Sequence, residues 1–188
     1  MKGIIFDLEH NQPTPSIIQI GGVLCDYKKR TIVKRFNRYC LLPKGEILDP
    51  YIQDLCDIPE AFLKEHGISF VSAVTEFWTW VHDCNCGGNI AAWSKDLIVL
   101  EKQSKEVGVI PPTNLHSLDL KEMGKLFRIP KGSKAKGGLQ NTMQIFNLTF
   151  KGRPHDGLTD SENTAMLVFH WLKLLDTMYK AQDIFAGV

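Results

Sequence analysis

The chain has 188 residues, 44% of them hydrophobic, with 22 Lys and Arg against 21 Asp and Glu and a formal net charge of +1. That length supports one well-packed core and is short for two, so a single domain over residues 1–188 is expected. Near-neutrality excludes a protein that coats polyanions by overall basicity and confines any nucleic-acid contact to a local patch. The cysteines Cys25, Cys40, Cys56, Cys84 and Cys86 are an odd set with no Cys-x-x-Cys pair, and Met1-Lys2-Gly3-Ile4 leads straight into an acidic motif without a signal peptide or a membrane-spanning run. Reduced, buried thiols in a cytoplasmic protein with no membrane partner are the expectation.

In chain order, Gly3–Leu8, Ile17–Cys25 and Thr31–Leu42 are apolar or alternating runs, and the short polar Asp26-Tyr27-Lys28-Lys29-Arg30 turns the second back on the third. This segment reads as a β-meander whose first strand is central. Pro43 and Pro50 end strand character; after them Leu55, Ile58, Phe62, Val71, Val74, Phe77, Trp78 and Val81 recur at helical spacing, with Ser69 as a cap for the longer helix. Gly87-Gly88 breaks that pattern, and Asn89–Trp93 reads as a short buried strand feeding a helix from Ser94 to about Val107, closed by Pro111-Pro112. Leu115–Leu118 reads as an edge strand before a helix over Asp119–Phe127, and Leu139–Asn147 and Thr159–Met178 as helices with an irregular stretch between them. Strands first with helices around them point to an α/β domain, a mixed sheet covered on both faces.

Asp7 and Glu9 close the first apolar run two residues apart, so their side chains share one face of the strand. Like charges at the end of a buried strand repel one another and lose hydration, and a hard cation between them keeps both ionised. Asp96 falls in the first turn of a helix that follows a strand, near the carboxyl ends of the strands where ligands gather in open α/β sheets, and can reach the same cleft. His155 and Asp160 open the last helix. Alone, Asp160 suits a helix N-terminus and His155 a surface loop. Trp93 either stacks on a base or ends its strand in the core. Cys84-Asn85-Cys86 with His82 lacks the second ligand pair of a structural zinc site. The basic stretch Lys125–Gly138, extended by Lys151 and Arg153, reads equally as a track for phosphates or as a solvated loop.

Taken together, Phe6-Asp7-Leu8-Glu9, an Asp early in a central helix (Asp96) and His155-Asp156-Gly157-Leu158-Thr159-Asp160 resemble, in order and over nearly the whole chain, the three motifs of the DEDDh 3′–5′ exonucleases. Ser94-Lys95-Asp96 and His155 through Ala165 are similar to the patterns of the Eri-1/KapD-like branch, many of whose members trim RNA. The resemblance implies a ribonuclease-H-like fold, a mixed five-stranded sheet flanked by helices on both faces. It also implies two divalent cations, Mg2+ or Mn2+, held by Asp7, Glu9, Asp96 and Asp160, with Asp7 bridging, Glu9 and Asp160 completing one site and Asp96 supporting the other. His155 would take the proton of the attacking water, a task suited to a side chain that titrates near neutrality. His10 and Asn11, just after the Glu, stand where the family contacts the terminal nucleotide. The implied substrate is the 3′ end of single-stranded RNA, released as mononucleotides, with a protein partner able to deliver it. The alternatives are a relative acting mainly on DNA and a catalytically silent nucleic-acid-binding adaptor. The chain departs from the family pattern at His10-Asn11-Gln12, at Gln19, where Glu is frequent, and at Trp93-Ser94, where the branch has the reverse order.

Overall fold

The structure, a computed structural model, describes residues 1–128 and 137–186. Strands β1 (Lys2–His10), β2 (Ile17–Asp26) and β3 (Thr31–Tyr39) form the antiparallel meander, and β4 (Asn89–Ala92) and β5 (His116–Asp119) continue the sheet in parallel on the other side of β1. The order β3-β2-β1-β4-β5 places β1 in the middle, paired with β2 along its length and with β4 over Ile4, Ile5 and Phe6. A central strand covered on both faces needs apolar side chains in both directions. Ile4, Phe6 and Leu8 enter one core with Phe77, Trp78 and Leu100, while Ile5 enters the opposite core with Met143, Ala165 and Leu167. Alternation carries Asp7 and Glu9 onto the face of Ile5.

The helices are α1 (Pro50–Cys56), α2 (Glu60–His66), α3 (Phe70–Asp83), α4 (Asp96–Glu106), α5 (Leu120–Arg128), α6 (Leu139–Ile145) and α7 (Gly157–Ala186). The helical spacing up to Val81 is realised as three helices. The Asp49 side chain caps α1 at Tyr51 N and Ile52 N, the left-handed Asp57 ends it, Gly67 ends α2, and Ser69 Oγ accepts from Ser72 N at 3.1 Å to start α3. The third strand stops at Tyr39, short of the expected Leu42; only Cys40 continues, as a single bridge to Ile68. Asp119 ends β5 instead of opening a helix, and its carboxylate caps α5 through Lys121 N at 2.9 Å and Glu122 N at 3.3 Å. Helices α3 and α4 cover one face and α5, α6 and α7 the other, as a ribonuclease-H-like sheet requires. Residues 129–136 of the basic stretch lie outside the described residues. No described helix is long and apolar enough to cross a membrane.

One contact sets how α7 meets the sheet. Gly21 on β2 is the register partner of Asp7, and a Cβ at Gly21 would stand 2.1 Å from Gly157 C and Leu158 N. The start of α7 therefore rests on bare backbone, and Ser161 Oγ donates to Gly21 O at 3.1 Å from the next turn. Both sides of the clash being backbone, Gly21→Ala is expected to destabilise the fold by about 3 kcal/mol, the upper end of overpacking costs. Urea unfolding of the two proteins checks this, and an unchanged midpoint would mean that α7 does not dock here.

Candidate active site

Glu9, His155 and Asp160 converge although β1 and the start of α7 are far apart in the chain: one ligand atom from each lies within 4.8 Å of the others. The 157–160 turn brings this about. Asp156 O accepts Asp160 N at 2.8 Å and Asp156 Oδ1 accepts Thr159 N at 2.8 Å, so Asp156 is the cap of α7. Asp160, one turn in, is free of that duty and faces the sheet, where its Oδ2 accepts His155 N at 3.3 Å and its buried Oδ1 has no protein partner. His155 itself is exposed, on left-handed backbone at φ 61. On the other side, β4 ends at Ala92, beside Phe6, and the chain turns through Trp93-Ser94-Lys95 into α4 with Asp96 as its first residue. The carboxyl ends of β1, β4 and β5 thus deliver Asp7, Glu9, Asp96 and Asp119 to one edge of the sheet.

The electrostatics follow from crowding acids without a matching cation. Asp7 keeps some surface open to the cleft but is surrounded by protein atoms; burial first, then the charges of Asp96, Glu9 and Asp160, hold its pKa well above the carboxylate range. Glu9 is pushed up to about 8 by burial, with the Cys56 thiol, which donates to Glu9 Oε2 at 3.3 Å, pulling the other way. Asp96 is raised to about 7 by burial and by Asp119, offset by Lys121. Asp160 is raised to about 6 by burial, against the lowering effect of the His155 N–H.

Other expectations meet a different arrangement. Trp93 is 9% exposed and packs with Ile5 and Ala91 in the core beneath α5–α7, so it is not placed to stack on a base. Asn11 is 2% exposed and both ends of its amide are used, Nδ2 on Ile47 O at 3.0 Å and Oδ1 on Asp49 N at 2.9 Å. It ties the end of β1 to the approach to α1 and offers nothing to a nucleotide. His10 is half-buried, and burial lowers its pKa. Arg153 does not extend a free basic patch: it pairs with Asp57 and donates to Asp54 O at 2.9 Å. Cys84 and Cys86 are buried, whereas His82 is exposed and bonds Asp83. Sequence reasoning missed Cys56, Asp119 and Asp156 as neighbours of the cluster. An acid in His-Asp-Gly directly before a helix was a readable capping signal for Asp156; nothing local announces Cys56.

No protein-family model matches the chain. In sequence it is similar to ERI1 exoribonuclease 2 of Homo sapiens, 29% identical over a 181-position alignment, with 84% of this chain and 25% of that protein covered. It is likewise similar to the Mus musculus protein of that name, 27% identical over a 184-position alignment, with 85% of this chain and 26% of that protein covered. The chain thus spans about a quarter of the length of the curated relatives it matches. Among solved structures it resembles the nuclease domain of 3′hExo, a DEDDh family member bound to rAMP, with TM-score 0.73, 18% identity and 92% of each chain covered. It also resembles the cell-death related nuclease CRN-4, with TM-score 0.78, 19% identity, and 92% of this chain and 64% of that one covered. The fold is therefore the ribonuclease-H-like fold of exonuclease domains. Within that class, the chain is similar in sequence to ERI1 exoribonuclease 2 and in fold to the nuclease domain of a DEDDh family member.

The raised carboxyl groups make stability depend on pH in a definite direction. Their folded-state values lie above the unfolded value of about 4, so the fold binds these protons more tightly than the unfolded chain does. Their contribution is full below that value and is lost as pH rises through about 6 for Asp160, about 7 for Asp96 and about 8 for Glu9. In chelator, Glu9→Gln should therefore gain stability relative to wild type as pH rises from about 5 to about 8. Denaturant midpoints at the two ends measure it, and a pH-independent difference would contradict the assignment.

Proposed function

We propose that residues 1–188 act as one catalytic unit, a metal-dependent 3′–5′ exoribonuclease that releases mononucleotides from single-stranded RNA ends. The observation that carries this reading is the meeting of Glu9, His155 and Asp160 within 4.8 Å beside the half-buried Asp7 and Asp96, five residues that the chain supplies in the order of the DEDDh motifs. The donor set fits a hard divalent cation: it consists of carboxylate oxygens, and Asp160 Oδ1 is buried with no protein partner. Asp7, Glu9, Asp96 and Asp160 would hold two such ions, Mg2+ or Mn2+. When bound, a cation pair stabilises negative charge on the attacking and leaving oxygens of phosphodiester hydrolysis.

The remaining steps belong to the side chains. With the carboxylates engaged as ligands, His155 is the group at the cluster able to accept a proton from the attacking water, and its exposure lets it pass that proton to solvent. The bond from His155 N to Asp160 Oδ2 keeps base and ligand in one turn of chain. Negative charge on the scissile phosphate is repelled by bare carboxylates, so substrate and cations are expected to enter together. RNA is favoured over DNA because the curated relatives are named exoribonucleases, and a protein partner that delivers the substrate is part of the proposal.

The test uses 5′-labelled RNA and DNA oligonucleotides with Mg2+, with Mn2+ and with chelator. A ladder shortening from the 3′ end, faster on RNA and silent in chelator, is expected. Asp7→Asn should abolish it in a folded protein. His155→Ala should lower turnover by about two to four orders of magnitude, the usual worth of a general base, while metal binding read by calorimetry stays nearly unchanged. Cuts within a circular RNA, or full activity in chelator, would sink the reading.

A further inference from the structure

Gln19 is fully buried on β2, and its amide is matched bond for bond to its surroundings. Oε1 accepts Gly157 N at 3.0 Å, and Nε2 donates to Asp156 Oδ2 and to Asn37 Oδ1, each at 3.0 Å. Asp156 in turn uses its other oxygen, Oδ1, to cap α7 at Thr159 N. Both residues that follow His155, Asp156 and Gly157, are thus held by one side chain from the sheet, while His155 N is held by Asp160. The peptide carrying the histidine is pinned on both sides in a left-handed conformation that is uncommon for a non-glycine residue.

The match depends on chemistry as well as on shape. A glutamate at position 19 would keep the acceptor for Gly157 N but have no donor for Asp156, and would set a second carboxylate against the first at hydrogen-bond distance. An asparagine at position 156 has one oxygen for two donors, Thr159 N and Gln19 Nε2. Each change alone breaks the set. Made together they restore it: the new amide at position 156 accepts Thr159 N through its oxygen and donates to the new carboxylate at position 19, whose other oxygen accepts Gly157 N, and the Asn37 amide turns to donate.

We propose that Gln19 and Asp156 form a reciprocal pair of positioning residues that fixes the turn presenting His155 to the acidic cluster. The inference rests on the reading of His155 as the base in phosphodiester hydrolysis. It makes Gln19 a determinant of turnover although Gln19 touches neither substrate nor reacting atoms. Misplacement of a reacting group by about 1 Å costs about a hundredfold in rate, which sets the scale of the effect.

The experiment is a double-mutant cycle of Gln19→Glu, Asp156→Asn and the pair together, assayed at saturating RNA, with melting temperature and hydrogen exchange of the Gly157 amide followed in parallel. Each single variant is expected to lose about ten- to a hundredfold in kcat with KM for RNA nearly unchanged, and to exchange the Gly157 amide faster. The double variant should recover both readouts to near wild type. If Gln19→Glu fails to fold, Asp156→Asn against the double carries the same comparison. Wild-type kcat in a folded single variant, or a double variant no better than the worse single, overturns the proposal. Should wild type cleave no RNA, the functional reading fails on its own, and the exchange cycle still decides whether the pair holds the turn: recovery in the double supports it and additivity overturns it.

Discussion

The constraint on which the rest depends is the confinement of Asp7, Glu9, Asp96 and Asp160 in a space where they repel one another and lose water. A loop would relieve that strain by moving away. Here each group is anchored in regular structure: Asp7 and Glu9 in β1, opposite Gly21 and Gln19 of β2, Asp96 and Asp160 in the first turns of helices that leave the sheet edge. Packing therefore opposes the repulsion. The Ile4–Phe6–Leu8 and Ile5 faces of β1 are buried in separate cores, so turning the strand to carry Asp7 and Glu9 away from Asp96 and Asp160 would expose both. Burial of such side chains is worth about 1.5–3 kcal/mol each, which is enough to hold the strand against charges still screened at the cleft.

The same logic explains why the approach of α7 to the sheet uses glycine. To bring Asp160 and His155 to Glu9, the start of α7 has to lie on β2 opposite Asp7, and only a residue without Cβ at position 21 leaves room. Gly157 repeats the device from the helix side, where a Cβ would stand 3.2 Å from Asp7 O. Ser161 adds a hydroxyl bond to Gly21 O and Gln19 holds Gly157 N and Asp156, so the seam is closed by backbone contact and two buried, hydrogen-bonded side chains.

Much of this was legible in the residues. Strand alternation placed Asp7 and Glu9 together, the strand-to-helix step at Trp93–Asp96 placed a third acid at the same edge, and Ser69 announced its helix by its capping chemistry. What was not legible depends on partners distant in the chain. Trp93 adjoins the second motif and suggests a platform, but its ring is claimed by the core that α6 and α7 complete from residues far downstream. Asn11 follows the Glu and suggests a nucleotide contact, yet its amide is taken by Ile47 and Asp49, a demand that arises only once α1 has docked. Cys56 reads as an ordinary apolar helix position until β1 sets Glu9 against it. Local patterns report the backbone a segment prefers, whereas the use of a buried polar group is settled by whichever element covers it.

The surface charges sharpen the picture of how a polyanion would be met. Arg35 pairs with Glu162 at 2.5 Å and Arg38 with Glu76 at 2.6 Å, while Arg30 is bound to Asp176 and Arg153 to Asp57. Exposed pairs of this kind add little to stability, generally under about 1 kcal/mol, but each cancels a guanidinium that would otherwise offer a fork to phosphate. Among the described residues these four arginines are matched by acids, and the chain as a whole has a formal charge of only +1, so little net charge is left to steer a polyanion from a distance. The cleft carries the opposite sign. On the proposed reading, attraction for a phosphodiester at Asp7, Glu9, Asp96 and Asp160 has to be created where those acids are neutralised, which would tie binding of the scissile group to the chemistry that breaks it.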